Sequence, residues 1–291
     1  MKAKDLLPTE LIVDNLDQWL CEDGLHEGDA TSEALLVDEG EASMHLVARE
    51  SMMVCGLEPL SRGLEAMECD VRLAATVDEG AHVGVGGALG TLSGDRRSAL
   101  SLERTILNIL GRTCGVASLT REYVDQVSGT KAVITDTRKT MPGLRNWDKY
   151  AVVCGGGTSH RMGLHDALLI KDNHLAAFSA EQVSTCLEDA VVRARTERDL
   201  AFVEVEVDTI TQLDAVLHVA GVDMILLDNM TIQVMREAVQ RRDASAPHVL
   251  LEASGGITLS EVRAVAEAGV DRIAIGALTR DAVMLDIGLD A

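Results

Sequence analysis

Aromatic side chains make up only 2% of the 291 residues. Trp19, Trp147, Tyr123, Tyr150, Phe178 and Phe202 are the whole set, too few for the stacking platforms that hold single-stranded nucleic acid. Positive charge is scarce as well. The 26 Lys and Arg face 47 Asp and Glu, a net charge of −21, whereas a phosphate backbone has to be met by cations. Nucleic acid is therefore not an expected partner, and the acidic excess reads as a soluble, self-repelling surface. No apolar run reaches the roughly 18 to 20 residues that a bilayer requires. Met1–Asp14 mixes Lys2, Lys4, Asp5, Glu10 and Asp14, unlike a secretion signal, so the expected location is cytoplasmic. The six cysteines, Cys21, Cys55, Cys69, Cys114, Cys154 and Cys186, contain no CxxC pair. That spacing excludes the common zinc motifs and small disulfide scaffolds, and the thiols are expected to be reduced and mostly buried. Cys154, beside a glycine run, reads as a packed thiol and not as a nucleophile.

The chain does have 47% hydrophobic residues and 25 glycines, the profile of a protein with a full core. Its length suits one large α/β domain with a smaller companion. Basic residues are concentrated in one place. Residues 131–171 hold Lys131, Arg138, Lys139, Arg145, Lys149, Arg161 and Lys171 against only Asp136, Asp148 and Asp166, so seven cations minus three acids give +4 within a very acidic chain. Such a patch points to a small, highly charged anion, or else to an internal ion-pair network.

From about residue 130, short β-rich runs alternate with helical stretches. Strands are predicted over Ala132–Asp136, Ala167–Lys171, Phe202–Val207, Met224–Asp228, Val249–Ala253 and Arg272–Gly276. Helices are predicted over Ala180–Thr196, Ile210–Ala220, Thr231–Arg242 and Leu259–Ala268. Six such units imply a parallel sheet curled into a closed or nearly closed barrel. The strand ends are polar and would meet at one mouth: Asp136 with Arg138 and Lys139, then Lys171, Glu204 with Glu206, Asp228, Glu252 with Ser254, and Gly276. In Val203–Val207 the period of two puts both glutamates on one face. Turned inward, they need cationic or metal partners, and Arg138, Lys139 and Lys171 are placed to supply them, with Glu204, the deeper one, a candidate for a structural role. The run Glu252–Ile257 with Ser254, Gly255 and Gly256 follows a strand and precedes a helix, and Gly276–Thr279 repeats the arrangement. Both suit phosphate held on backbone N–H groups. Gly84–Gly90 misses the dinucleotide-binding spacing and reads as a turn. Gly155–Gly157 reads as a flexible or tightly packed loop. Residues 1–115 show short β-like runs at Ala42–Ala48, Met67–Leu73 and Ala81–Val85 and a helix over Ser98–Thr113, on which Arg104 and Asn108 share a face.

Thr137–Arg145, Cys154–Gly157 with His160 and Arg161, and Leu169–His174 together resemble the quinolinate phosphoribosyltransferases. The likeness runs on through Gly28–Ser32, Glu103–Thr105, Glu204–Val207, Leu227–Asn229, Glu252–Gly256 and Gly276–Thr279. The resemblance implies an α/β protein with an N-terminal α/β sandwich over residues 1–115, joined by the tail 281–291, and a C-terminal incomplete (β/α) barrel over 116–280. It also implies a homodimer, or a higher oligomer, in which one subunit caps the other's barrel. By the same resemblance the enzyme joins quinolinate to 5-phosphoribosyl 1-pyrophosphate with Mg2+, releasing pyrophosphate and CO2 to leave nicotinate mononucleotide for NAD biosynthesis. Arg138, His160, Arg161 and Lys171, with Arg104 from the partner subunit, would bind quinolinate. Lys139, Glu206, Asp228, Ser254, Gly255 and Gly276 would bind phosphoribosyl pyrophosphate, Glu206 and Asp228 would also face the metal, and Lys139, Lys171, Glu206 and Asp228 would be catalytic. One position departs from the family, which usually has histidine where this chain has Arg280. A guanidinium can still contact phosphate, with an altered pH dependence. Two other readings remain: Lys171 as the Schiff-base lysine of a phospho-sugar aldolase, and a paralogue of the family with a different acceptor.

Overall fold

The computed structural model describes residues 3–36, 40–175 and 180–291. The chain forms two compact units. The first comprises Met1–Arg121, Met141–Gly156 and Leu278–Ala291, and the second Glu122–Thr140 and Gly157–Ala277.

The first unit is built on a four-stranded antiparallel sheet in the order Ile287–Asp290, Glu41–Ala48, Ala88–Asp95, Val71–Ala75. Apolar residues four apart on the helix Thr9–Glu22, Ile12, Leu16 and Leu20, make one buried stripe. It packs on the helix Leu57–Ala66, which in turn packs on Val71–Ala75. The two helices cross so closely at Gly63 that a Cβ there would lie 2.5 Å from Ile12 and 2.6 Å from Leu16. The C-terminal segment is drawn against the long helix Arg96–Gln126 for the same reason. A Cβ at Gly111 would strike the Leu285 carbonyl, which is why the backbone there can approach, and the Leu285 N–H donates to the Gly111 carbonyl at 3.1 Å. Arg112, on the same helix, binds Asp148 through both carboxylate oxygens at 3.0 and 3.1 Å.

The second unit is a six-stranded parallel sheet in the order Val133–Thr135, Arg272–Ala274, Leu250–Ser254, Met224–Asp228, Val203–Val207, Leu168–Ile170. The helices Ala180–Glu197, Ile210–Val216, Ile232–Ser245 and Val262–Glu267 alternate with its strands. All six predicted strands are present within a few residues. Among the described residues no ladder joins the two edge strands, so the sheet is an open, incomplete barrel and not a closed one. The edge strand Val133–Thr135 is extended only by a parallel bridge from Thr135 to Thr158.

The sequence-based expectations need correcting in four places. Met67–Leu73 is not a strand: the helix Leu57–Ala66 is followed by a turn in which Glu68 takes φ 54°, and the strand begins at Val71. In Gly84–Gly90 the turn is confined to Gly84–Gly87, and Gly90 lies inside the strand Ala88–Asp95, where a side chain would meet the Ala74 carbonyl at 2.7 Å. Residues 141–156, which the resemblance puts in the barrel portion, form the helix Arg145–Cys154 and cluster with the first unit. Only Cys55 and Cys114 are fully buried; Cys69, Cys154 and Cys186 are partly exposed and Cys21 is exposed. Phe178 lies outside the described residues.

Candidate active site

In a parallel sheet every strand delivers its C-terminal end to the same side, so residues remote in sequence gather there. In the second unit they line a cavity of about 570 Å³ whose walls include Arg138, Lys139, His160, Arg161, Lys171, Glu206, Asp228, Ser254, Gly255 and Gly256. Gly276 adjoins it: a Cβ on Gly276 would lie 3.1 Å from Lys139 Cδ, so the missing side chain leaves room for the lysine. Arg104 is not in this group. It sits exposed on the helix Arg96–Gln126 of the first unit, 3.9 Å from Glu103. Arg280, also in the first unit, ion-pairs with Asp281 at 2.6 Å.

The loop carrying His160 and Arg161 is fixed through Asp136, at the end of the edge strand. Thr158 N–H donates to the Ile134 carbonyl at 2.8 Å, and the fully buried Asp136 carboxylate accepts the His160 N–H at 2.8 Å. Farther on, Asp166 accepts the N–H groups of Met162 and Gly163 at 2.7 and 2.9 Å. The fixed loop leaves Arg161 largely buried near Arg138. Its guanidinium is held below the usual arginine range, first by burial and then by the Arg138 charge. Arg138 Nε is itself buried with no hydrogen-bond partner. Two neighbouring guanidiniums, one with an orphaned donor, form a site that an anion completes.

His160 faces the other way. Its Nε2 lies 3.1 Å from both Glu204 and Glu252, and its ring meets Phe202 edge-on with centroids 5.1 Å apart. Glu252 is also held by Arg272 Nε at 2.8 Å, its direct neighbour across the ladder. Burial works against charge on His160, but the hydrogen bonds and charges of the two glutamates outweigh it and push its pKa up to about 9. The Arg161 backbone N lies 2.8 Å from Nδ1, and the Nε2 proton points at the two glutamates. That proton is shared with Glu204, whose carboxyl is raised by burial and by Glu252. Glu204 thus finds His160 as its partner, not the Arg138, Lys139 or Lys171 expected from the sequence, and Glu252 finds His160 and Arg272. Arg272 was missed because it stands at the start of its strand, whereas attention to a barrel mouth favours the ends.

Glu206 does meet Lys171, Oε2 to Nζ at 2.8 Å. One strand over, Asp228 accepts from the Asn229 side chain at 2.6 Å, and Asn229 takes φ 53°, with its N–H on the Ser254 carbonyl at 3.0 Å. Gly255 is required beside it: φ is 103°, and a Cβ would lie 2.3 Å from Asn229 Oδ1. Gly256 also has positive φ, 61°, and both glycines line the cavity. Glu206 and Asp228 provide two hard oxygen donors, while among the described residues they belong to no three-ligand cluster. That donor set fits Mg2+ held partly by one or two carboxylates and partly by substrate phosphates.

An open parallel barrel whose mouth pairs arginines with glycine-rich phosphate turns defines a phosphoribosyl-transferring class of enzyme. Residues 29–114 match the family described as quinolinate phosphoribosyl transferase, N-terminal domain, and residues 116–290 the corresponding C-terminal domain. The chain belongs to the quinolinate phosphoribosyl transferase family and is an enzyme. It is 42% identical to the nicotinate-nucleotide pyrophosphorylase [carboxylating] of Mycobacterium leprae over 95% of this chain and 96% of that one. It is 34% identical to a quinolinate phosphoribosyltransferase [decarboxylating] of Nicotiana tabacum over 93% of this chain and 79% of that one. The solved nicotinate-nucleotide pyrophosphorylase from Francisella tularensis superposes with a TM-score of 0.85 at 32% identity, covering 97% of this chain and 96% of that one.

Proposed function

We propose that the enzyme transfers phosphoribosyl from 5-phosphoribosyl 1-pyrophosphate to quinolinate and decarboxylates the product, yielding nicotinate mononucleotide, pyrophosphate and CO2 for NAD biosynthesis. The observation that carries this reading is the Arg138–Arg161 pair with its orphaned buried Nε, opening on the same cavity as the Ser254–Gly256 turn. Two adjacent carboxylates on a pyridine ring match two adjacent guanidiniums, and the glycine turn matches a 5-phosphate.

In the proposed reaction the quinolinate nitrogen bonds to the anomeric carbon while the bond from that carbon to pyrophosphate breaks. Arg138 and Arg161 bind the ring carboxylates, Lys171 lies at the ring's edge, and His160 positions Arg161 through its accepted N–H. Lys139 meets the charge that accumulates on the departing pyrophosphate. Glu206 and Asp228 hold the ribose hydroxyls and are the residues that would hold Mg2+. The ion, when bound, supplies further neutralisation of the pyrophosphate charge. Ribosylation makes the ring nitrogen cationic, so the carboxylate beside it leaves as CO2, the electron pair stays on the ring carbon, and that carbon takes a proton from water. No separate protein acid is needed.

Arg104, exposed on the first unit, reaches a second subunit's cavity in the proposed homodimer, and the reaction is placed in the cytoplasm. The aldolase alternative is disfavoured because Lys171 Nζ is ion-paired with Glu206 and not set in the apolar surroundings that free an amine. Incubation with quinolinate, phosphoribosyl pyrophosphate and Mg2+ tests the proposal. Nicotinate mononucleotide and CO2 should form in equal amounts. Binding of phosphoribosyl pyrophosphate with neither product would mean a different acceptor.

A further inference from the structure

Outside the cavity, a second cluster of chemically active side chains lies wholly within the first unit. Cys55 follows the strand Met52–Met53, Glu79 precedes the strand His82–Val83 paired with it, and Cys154 ends the helix Arg145–Cys154. Their ligand atoms all lie within 4.8 Å of one another. Cys154 Sγ donates to Glu79 Oε2 at 3.7 Å, and the carboxylate is held in place by the N–H groups of Gly56 at 2.8 Å and Glu58 at 2.9 Å. A third thiol, Cys114, touches the Cys55 backbone at 3.3 Å.

We propose that Cys55, Cys154 and Glu79 form a binding site for a soft divalent cation such as Zn2+ or Cd2+. Tetrahedral zinc with thiolate and carboxylate ligands sets neighbouring donor atoms roughly 3.5 to 3.8 Å apart, and Cys154 Sγ and Glu79 Oε2 already stand 3.7 Å apart. Burial pushes the Cys55 thiol up, and Cys154, Glu79 and Cys114 push it further. Cys114 is raised to about 12, burial again first. A cation reverses that balance by stabilising the thiolates. The carbonyl end of the helix Arg145–Cys154 carries the partial negative charge of its dipole to the same point. Cys55 is buried, while Glu79 and Cys154 are partly exposed and leave an entry route. Binding releases the Cys55 and Cys154 protons to solvent. Water completes the coordination, and the two backbone N–H groups on Glu79 are the outer partners that orient a ligating carboxylate.

The test uses the full chain, reduced and stripped with chelator, then titrated with Cd2+ and Zn2+, with Mg2+ as the hard-cation control. One equivalent of Cd2+ should bind with a thiolate-to-metal charge-transfer absorption and raise the melting temperature, and excess Mg2+ should not displace it. Cys154→Ser, at a partly exposed position, should keep the native circular dichroism yet lose the absorption and the melting shift. Its affinity should fall by more than the roughly tenfold to hundredfold that outer-partner changes cost, and Cys69→Ser should bind as the parent does. Absence of the charge-transfer band, binding that survives Cys154→Ser, or displacement by Mg2+ would overturn the proposal. So would a reduced protein that ignores Cd2+ but forms a Cys55–Cys154 disulfide in air, which would make the pair a redox couple.

Discussion

Lys139 and Gly255 show how much one side chain, present or missing, decides at the cavity. Lys139 packs along Gly276 and lines the open cavity, so Lys139→Ala should leave circular dichroism and melting unchanged. Loss of one preorganised charge opposite a leaving group costs roughly a hundredfold to a thousandfold in kcat; product formation under saturating substrate measures it, and full activity in the variant would refute the assignment. Gly255 works by absence. Gly255→Ala forces a Cβ against Asn229 at φ 103°, a strain on the order of 1 to 3 kcal/mol. The strain displaces the turn that carries the 5-phosphate, so KM for phosphoribosyl pyrophosphate should rise about tenfold or more, with little change in the quinolinate affinity measured alone. The cations and glycines of this site were legible in the sequence because charged residues at strand ends and glycines at strand-to-helix turns each have one physical explanation. The pairing of His160 with two buried glutamates was not legible. It depends on Asp136 anchoring its backbone and on two glutamates from other strands, a three-way meeting that no spacing encodes. The Cys55, Glu79 and Cys154 cluster escaped for the same reason, since its members come from three separate segments.

Among elements, the barrel strands announced themselves, while the first unit did so only in part, through the strand Glu41–Ala48 and the helix Arg96–Gln126. Strands covered on both faces read as continuous apolar runs between amphipathic helices, and that alternation survives in a single sequence. Leu57–Ala66 was passed over because Pro59 and Gly63 interrupt its helical pattern, although close packing at Gly63 compensates. The base of the barrel offers a sharp test. Asp271, just before the strand Arg272–Ala274, accepts Leu251 N–H at 2.9 Å, Lys131 Nζ at 2.7 Å and Arg242 Nη1 at 2.6 Å. Burial alone would raise its carboxyl, but those three donors outweigh burial and hold it below the usual value of 3.8. A carboxyl depressed by folding contributes stability that is complete above its unfolded pKa and is lost as pH falls through the folded one. Urea denaturation should therefore show stability declining as the pH drops below about 4, and Asp271→Asn should abolish that component. Because the substitution leaves the buried Arg242 without its main partner, it should also cost about 3 kcal/mol at neutral pH.

At the scale of the whole molecule, the cavity of the second unit is lined by the expected substrate ligands except Gly276, which adjoins it, and Arg104, which stands exposed on the first unit. If the proposed homodimer brings Arg104 of one subunit to the cavity of the other, two inactive variants can repair each other. Arg104→Ala damages the site to which it lends its arginine, and Lys139→Ala damages its own. In a mixed dimer one cavity combines both defects, and the other receives an intact Arg104 and keeps an intact Lys139. Random reassociation of equal amounts makes half of the dimers mixed, each with one sound site of two, so the mixture should recover roughly a quarter of the parental activity. Each variant alone should stay near background. Equal mixtures that remain inactive after verified subunit exchange would show that Arg104 serves its own chain or no site at all. Recovery close to a quarter would define the dimer, and not the single chain, as the unit that carries out the reaction.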